Sequence, residues 1–263
     1  MKYCLSLGLH NLFFDIAIVD QNHKIINKYK CGYDRNKDIS MNIYLAYKKY
    51  FSLYSIKAIG IGISNNITFK DDFLYGVKSF TFNRYDLKNA LSKLFEVDIY
   101  IFEETHLAAL ACSHKLDSNS LLFIIIDTKI SNSFVFDKQI VELEEDIDLR
   151  LNEDLNTNCC KGALKSEFLR NNFDDEYICE YFLSNNVKCK EIIGNWAKIL
   201  DKCLGKIVKE FPVNKVIFSG YIGEYFEEFK DYLSITKKFD CSSINNHREQ
   251  TLIGVSHLIF KDN

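Results

Sequence analysis

The chain lacks the features that usually mark a flexible linker: it has a single proline, Pro212, and no segment rich in proline, glycine or serine. It also lacks a long hydrophobic run, because its longest strongly apolar stretch, 121–126, is far shorter than the ~20 residues of a membrane-spanning helix. No signal-peptide core follows Met1. A net charge of −3 gives no electrostatic reason to expect nucleic acid or an anionic membrane as a partner. We therefore expect a cytoplasmic protein that binds neither.

Cysteine is plentiful, but its arrangement does not resemble a disulfide framework. The nine cysteines are an odd number scattered through a long chain, which is typical of reduced thiols. Cys159 and Cys160 are the only adjacent pair, and they lack the spacing and the companion histidine or cysteine of a zinc site. We interpret them as incidental thiols.

The first part of the sequence alternates short apolar runs with turn residues, which predicts β-strands. Helical spacing of apolar residues then predicts two helices, the second capped by Asn83 with Asp86 completing the capping interaction. The predicted strands are 3–9, 13–19, 25–29, 58–63 and 98–102, and the first helix is 40–51.

The second part repeats this order, which predicts an internally duplicated α/β protein. A long amphipathic helix ends before Pro212, and a closing helix is expected at about 250–260. The predicted strands are 120–126, 133–136, 139–143 and 215–218. With 47% hydrophobic residues in 263, the chain can bury the cores of two domains, and we place the boundary near residue 115.

Several segments, in the right order, resemble the ROK proteins (repressor, open reading frame, kinase) of the actin and hexokinase superfamily. The similarity covers the hairpin 5–20, the strand 56–63, the strand and helix 99–110, the hairpin 125–138, the turn 216–224 and the segment 252–256. It implies a duplicated ribonuclease H-like (actin-like ATPase) fold with two domains flanking a cleft. The sugar-side domain would be 1–115 and the nucleotide-side domain 116–263, and the closing helix could pack back on the first domain.

The resemblance also shows where phosphate-binding positions differ from the family pattern. His10, Asn11 and Leu12 replace Gly-Gly-Thr after Gly8, which stands where the family has aspartate. His10 could still donate to an anion, although a polar turn residue is the simpler interpretation. A phosphate-binding loop needs unobstructed backbone amides, so these side chains indicate a lost or altered site.

The second phosphate loop is altered in the same way. Asp127, Thr128 and Lys129 occupy its first three positions, and polar side chains follow at 131–133 in place of glycine. Asp127 would repel a triphosphate and Lys129 would partly offset that charge, whereas an ordinary polar hairpin turn is the simpler interpretation. Gly220 resembles the glycine turn on the adenosine side.

The catalytic position is occupied by unexpected residues. The resemblance places Glu103 and Glu104 at a Glu-Asn pair and Thr105 at the catalytic aspartate, and threonine cannot act as a general base at neutral pH. Glu104 could substitute for the missing base. Alternatively, the two glutamates form an acidic helix N-terminus that Thr105 caps.

The sugar-binding positions keep polar residues, namely Ser64, Asn65, Asn83 and Asp146, that could pair with hydroxyl groups. Leu149 replaces the histidine that binds zinc in the family, and at most Cys159 coincides with a zinc-ligating cysteine. Since a structural zinc needs about four ligands, we predict no zinc and no other metal site.

Two functions remain open from the sequence. The first is a non-catalytic ROK-like sensor, regulator or scaffold that needs no cofactor and binds a small carbohydrate. The second is a diverged sugar kinase that uses ATP and Mg²⁺ on a hexose or N-acetylhexosamine. The resemblance implies a homo-oligomer, such as a dimer. The first predicted strand begins at Tyr3, which leaves no room for the helix-turn-helix domain of ROK repressors, so we do not expect DNA binding.

Overall fold

A computed structural model describes residues 1–143 and 153–260. The chain forms two compact units, one made of Met1–Cys112 together with Arg248–Asn263 and the other of Ser113–His247. Within the described residues, no helix is long and apolar enough to cross a membrane.

The first unit is built on a five-stranded sheet in the order β3-β2-β1-β4-β7. The strands β1 to β3 form an antiparallel meander, and β4 and β7 run parallel to β1. The elements are β1 (Tyr3–Leu9), β2 (Phe13–Asp20), β3 (Ile25–Gly32), α1 (Ile39–Phe51), β4 (Ile56–Ile63), β5 (Thr68–Lys70), β6 (Phe73–Tyr75), α2 (Leu87–Ser92), β7 (Asp98–Glu103) and α3 (Glu104–Lys115).

The last helix, α10 (His247–Ile259), covers one face of this sheet. Its buried Leu252 and Val255 pack with Cys4, Val19 and Leu107. The Ser6 hydroxyl on β1 donates to the Leu252 carbonyl oxygen at 2.8 Å, so a buried polar group of the sheet is satisfied by the helix. The first unit therefore combines helices α1 to α3 from the N-terminal part of the chain with α10 from the C-terminal part.

The second unit repeats the same topology, with the sheet order β10-β9-β8-β11-β12. Here β8 is antiparallel to β9 and parallel to β11, as β1 is to β2 and β4. The elements are β8 (Ser120–Ile126), β9 (Ile130–Phe136), β10 (Gln139–Val141), α4 (described over 153–158), α5 (Lys161–Arg170), α6 (Ile178–Leu183), α7 (Val187–Glu210), β11 (Lys215–Ser219), α8 (Gly220–Gly223), α9 (Phe226–Phe229) and β12 (Asp240–Ser243). The predicted duplicated α/β fold is confirmed.

Two predicted caps are wrong. Asp86, and not Asn83, caps α2, because its carboxylate accepts the Asn89 amide at 3.0 Å and Leu87 begins the helix. Asn83 lies exposed in the preceding loop. Asparagine and aspartate are both good N-cap residues. The sequence alone therefore does not decide which of these two residues, three positions apart, caps the helix. The helix α3 begins at Glu104, so Thr105 lies inside its first turn and does not cap it.

Candidate functional site

In the first unit, the carboxyl ends of three parallel strands meet at one edge of the sheet. Leu9 of β1 is in register with Ile63 of β4, and Ile63 with Glu103 of β7. The next residues along each strand, His10, Ser64 and Glu104, are therefore brought to the same edge. The Ser64 amide donates to the Leu9 carbonyl oxygen at 3.0 Å, which fixes the loop after β4 to the first turn.

Glu104 is the one buried carboxylate among these residues. Its side chain is 3% exposed, and its Oε1 atom accepts a hydrogen bond from the Asn65 amide at 3.3 Å. Thr105 is completely buried and Glu103 is exposed. Of these three residues, Glu104 is therefore the one whose carboxylate contacts the loop that carries Ser64 and Asn65.

The first turn is filled by its own side chains. The His10 ring stacks on Phe13, and its Nε2 atom lies 3.3 Å from the Asp15 carboxylate. A Cβ added to Gly8 would contact that same Nε2 atom at 3.5 Å and the Asp15 Cβ at 3.8 Å. The imidazole and the carboxylate therefore cover the position where the family pattern has aspartate.

Asn11 connects this turn to the loop that leads to α2. Its amide group donates to the Asn66 carbonyl oxygen at 3.1 Å, and its side-chain oxygen accepts the Lys78 amide at 3.1 Å. The Ser79 hydroxyl donates to the Asn11 carbonyl oxygen at 2.7 Å. Asn11 thus uses its polar groups to join two loops. No sequence signal indicates this role, since the partners of Asn11 lie more than fifty residues away along the chain.

In the second unit, the corresponding edge carries the hairpin 127–129. The Asp127 carboxylate accepts the Thr128 amide at 2.7 Å, and the Asp127 carbonyl oxygen accepts the Lys161 amide at 2.9 Å. Asn156 binds both backbone groups of Ile130, at 2.7 and 3.0 Å. Asn156 was not a sequence candidate, although it anchors the end of the hairpin to α4. Thr128 and Lys129 are exposed.

Gly220 lies beside this hairpin, at the end of β11. Ser219 is in register with Ile125 of β8, so the carboxyl ends of the two strands meet. Gly220 has a φ of 86°, and a Cβ there would lie 2.8 Å from the Ile126 carbonyl oxygen. The structure thus brings Asp127, Thr128, Lys129 and Gly220 to one edge. Asp146 and Leu149 lie outside the described residues.

The thiols near the expected zinc position belong to the core of the second unit. Cys159 is completely buried, and its carbonyl oxygen accepts the Trp196 indole N–H at 3.0 Å. A hydrogen bond from the Cys159 thiol lowers the pKa of Cys203, against the opposing effect of burial. No group of three metal-ligating side chains is found among residues 1–143 and 153–260.

The comparisons with known proteins identify the fold. No protein-family model matches the sequence, and no curated protein matches it significantly. The structure is similar to a ROK hexokinase from Thermus thermophilus, with a TM-score of 0.80, 15% identity and 100% coverage of both chains. It is also similar to a Streptomyces griseus ROK glucokinase in complex with glucose and AMPPNP, with a TM-score of 0.73, 12% identity and coverage of 98% and 99%.

A regulator has this fold as well. A ROK transcriptional regulator, a homolog of the E. coli MLC protein, matches with a TM-score of 0.77 and 12% identity over 98% of this chain and 78% of its own. The predicted resemblance to ROK sugar kinase-like proteins is therefore confirmed as a resemblance of fold. Since this fold carries both kinases and regulators, the chemistry has to be argued from the residues at the two edges.

Proposed function

We propose that the protein is a non-catalytic, ROK-like carbohydrate-binding protein that acts as a sensor, regulator or scaffold. The observation that carries this proposal is the filled first turn. The His10 ring and Asp15 cover Gly8, and Asn11 is held by the loop residues at 66 and 78–79. A turn whose residues carry side chains in place of glycine cannot close its backbone amides on a phosphate in the way a glycine-rich turn does.

The carbohydrate site is proposed at the edge of the first unit. Ser64 and Asn65 offer a hydroxyl and an amide, and the buried Glu104 carboxylate offers oxygen atoms beside them. Sugar hydroxyls need both donors and acceptors, and a few placed polar groups at the end of a parallel sheet provide them. That Asn83 and Asp146 also bind this carbohydrate remains a prediction from the sequence.

The residues at the two edges do not fit an ATP and Mg²⁺ site of the usual kind. The first turn has no open glycine amides, and Asp127 places a carboxylate in the second loop, where its charge opposes that of a triphosphate. We therefore derive no phosphoryl-transfer step. Zinc has no cluster of ligands to hold it within the described part of the chain, and the absence of zinc stays a prediction.

A diverged sugar kinase is the second candidate, because Glu104 is buried at the sheet edge and within hydrogen-bonding distance of the Asn65 amide. In that case Glu104 would accept the proton of a sugar hydroxyl, Lys129 would contact the phosphates and Asp127 would hold Mg²⁺. General-base catalysis contributes ~10²–10⁴-fold to the rate, so its loss is measurable.

An assay of ADP release across a panel of hexoses and N-acetylhexosamines separates the two candidates. For a non-catalytic protein, we expect no turnover above the blank with ATP and Mg²⁺, and a rise in melting temperature with at least one neutral sugar. The Glu104→Gln variant serves as the control. Robust turnover by the unchanged protein that is lost in Glu104→Gln would overturn the non-catalytic proposal in favour of the diverged sugar kinase. We also propose a cytoplasmic location and a homo-oligomer. Sedimentation analysis of the full chain can test the oligomeric state.

A further inference from the structure

The second unit contains a cavity of about 440 Å³ between the helices α5 and α7. Its described lining residues come from α4, from α5 and the residue that follows it, and from α7. None of them belongs to the hairpin 127–129 or to the turn at Gly220. The volume is within the ~300–1,000 Å³ of small-molecule sites. The cavity is therefore a candidate ligand site separate from the edge of this unit's sheet.

The charged side chains that line the cavity are paired within their own helices. On α5, the Arg170 guanidinium pairs with the Glu167 carboxylate. On α7, the Lys188 Nζ atom lies 3.0 Å from the Glu191 carboxylate. Each helix therefore contributes one positive and one negative charge, and the balanced set gives no net electrostatic attraction to an anion or a cation. A neutral ligand suits this lining best.

Three asparagines give the cavity unused hydrogen-bonding groups. The Asn195 side chain makes no hydrogen bond within residues 1–143 and 153–260. Asn158 and Asn171 each donate from Nδ2 to the backbone carbonyl oxygen four residues earlier, at 3.0 and 2.8 Å. Their Oδ1 atoms accept no hydrogen bond in the same part of the chain, so both amides keep an acceptor. Because an amide group offers donors and an acceptor, these side chains match hydroxyl groups, which need both.

The rest of the lining is partly apolar. Ile192 and Trp196 are buried side chains of α7, and both line the cavity. The Trp196 indole N–H already donates to the Cys159 carbonyl oxygen at 3.0 Å, and the ring makes an edge contact with Phe229, with 5.3 Å between the ring centres. The indole is thus held in place, and it presents apolar surface to the cavity. A sugar ring fits apolar surface beside amides, since it has C–H groups on its faces and hydroxyl groups around its edge.

We propose that this cavity binds a neutral sugar. The hydroxyl groups of the sugar pair with Asn158, Asn171 and Asn195, and its apolar face lies against Ile192 and Trp196. The described lining shares no residue with the carbohydrate site proposed at the edge of the first unit. Neither site therefore depends on the other, and a chain that has both binds two sugars.

Trp196 is the only tryptophan of the chain, so its fluorescence reports on this cavity and not on the first unit. The full chain would be titrated with a neutral hexose, a neutral disaccharide and, as a separate arm, a zwitterionic amino acid. Excitation at the red edge of the absorption band selects the indole over the 15 tyrosines. We expect a saturable change in emission with at least one sugar, because a bound sugar displaces water beside the ring, and no change with the amino acid.

A variant and a matched control assign the response to the cavity. Asn195→Ala should weaken the affinity for the sugar about 5- to 150-fold, because hydroxyl groups of the bound sugar lose their partner. Alanine favours a helix interior, so this variant should fold, which circular dichroism can check. Asn214→Ala removes the same group from an exposed position outside the described lining and should leave the affinity unchanged.

Three results would overturn the proposal: no emission response to either sugar, a response to the amino acid, or equal affinities of Asn195→Ala and Asn214→Ala. A sugar that raises the melting temperature but leaves the emission unchanged would remove this site and leave the proposed carbohydrate binding by the first unit standing. The two proposals can therefore fail separately.

Discussion

Glycine is required at some positions of this chain and incidental at others. Gly220 combines a φ of 86° with a close approach to β8, where an added Cβ would lie 2.8 Å from both the Ile126 carbonyl oxygen and the Ile125 Cγ2 atom. Gly205, inside α7 and five residues before its end, has no atom within 4 Å of an added Cβ. The first glycine shapes the edge of the second unit, and the second glycine has no such constraint.

The Gly220→Ala substitution should therefore destabilise the protein. A left-handed backbone conformation costs a residue with a side chain ~1–3 kcal/mol, and the contact with the Ile126 carbonyl oxygen adds to that strain. Gly205→Ala is the matched control, and it should stabilise α7 by ~0.5–1 kcal/mol because alanine favours a helix interior. Urea unfolding of the three proteins measures both effects. Equal stability of the two variants would show that the geometry at Gly220 is unimportant.

At the scale of elements, α10 contacts the turn between β2 and β3 through a pair of histidines. His23, in that turn, stacks on His257 of α10 with 3.8 Å between ring centres. The His23 Nδ1 atom is hydrogen-bonded to the Ser256 hydroxyl at 2.9 Å. Burial lowers the pKa of His23, and the nearby Asp20 only partly opposes this effect. The folded state therefore favours the neutral imidazole.

This shift makes the contact sensitive to acid. Since the pKa of His23 is lower in the folded chain than the ~6.5 of an unfolded one, its contribution to stability is complete above that value and is lost as the pH falls through the folded pKa. We expect the free energy of unfolding to fall between pH 7.5 and pH 5, and to fall less in His23→Asn. Asparagine tolerates the φ of 62° at this position.

Urea unfolding at the two pH values measures this difference. His106→Asn, on α3 and outside the stack, is the control and should retain the pH dependence of the unchanged protein. An equal or steeper loss of stability in His23→Asn would contradict the assignment.

The sequence predicted elements well where burial and local chemistry agree. The strands β1 and β8 were predicted with their observed bounds, because each is a short, mostly apolar run that ends at a turn. The strand β9 was predicted to begin at Ser133 but begins at Ile130, since its buried polar residues pair with β8 through the backbone. The hairpin of β5 and β6 was missed because each strand has only three residues.

At the scale of the whole molecule, what could not be predicted depends on contacts between distant parts of the chain. Glu104 and Asn65 were identified as candidates from motif positions, but their hydrogen bond requires the register of β4 and β7. Lys30 and Arg248 belong to no motif: the pairing of β2 with β3 brings Lys30 to Phe13, and the packing of α10 brings Arg248 there. The resemblance to ROK proteins thus predicted the fold and several residues that lie at the carboxyl ends of the parallel strands. The contacts that bring charged side chains together there depend on the tertiary structure.

The division of the chain leads to a prediction about fragments. The second unit is continuous, so a fragment 113–247 should fold cooperatively by itself. A fragment 1–112 lacks α10, which leaves the face around Cys4, Val19 and Leu107 uncovered. We expect this fragment to be poorly folded and to gain a cooperative thermal transition when a peptide of residues 248–263 is added.

A variant peptide makes the test specific to the packing of α10. An added Cβ at Gly254 would lie 2.0 Å from the Leu107 carbonyl oxygen, so a Gly254→Ala peptide should bind about 5- to 150-fold more weakly, since overpacking costs ~1–3 kcal/mol. Circular dichroism follows the transition, and a fluorescently labelled peptide gives the affinity. A cooperative transition of 1–112 without any peptide, or equal binding by both peptides, would show that the first unit does not depend on the close contact of α10 with α3.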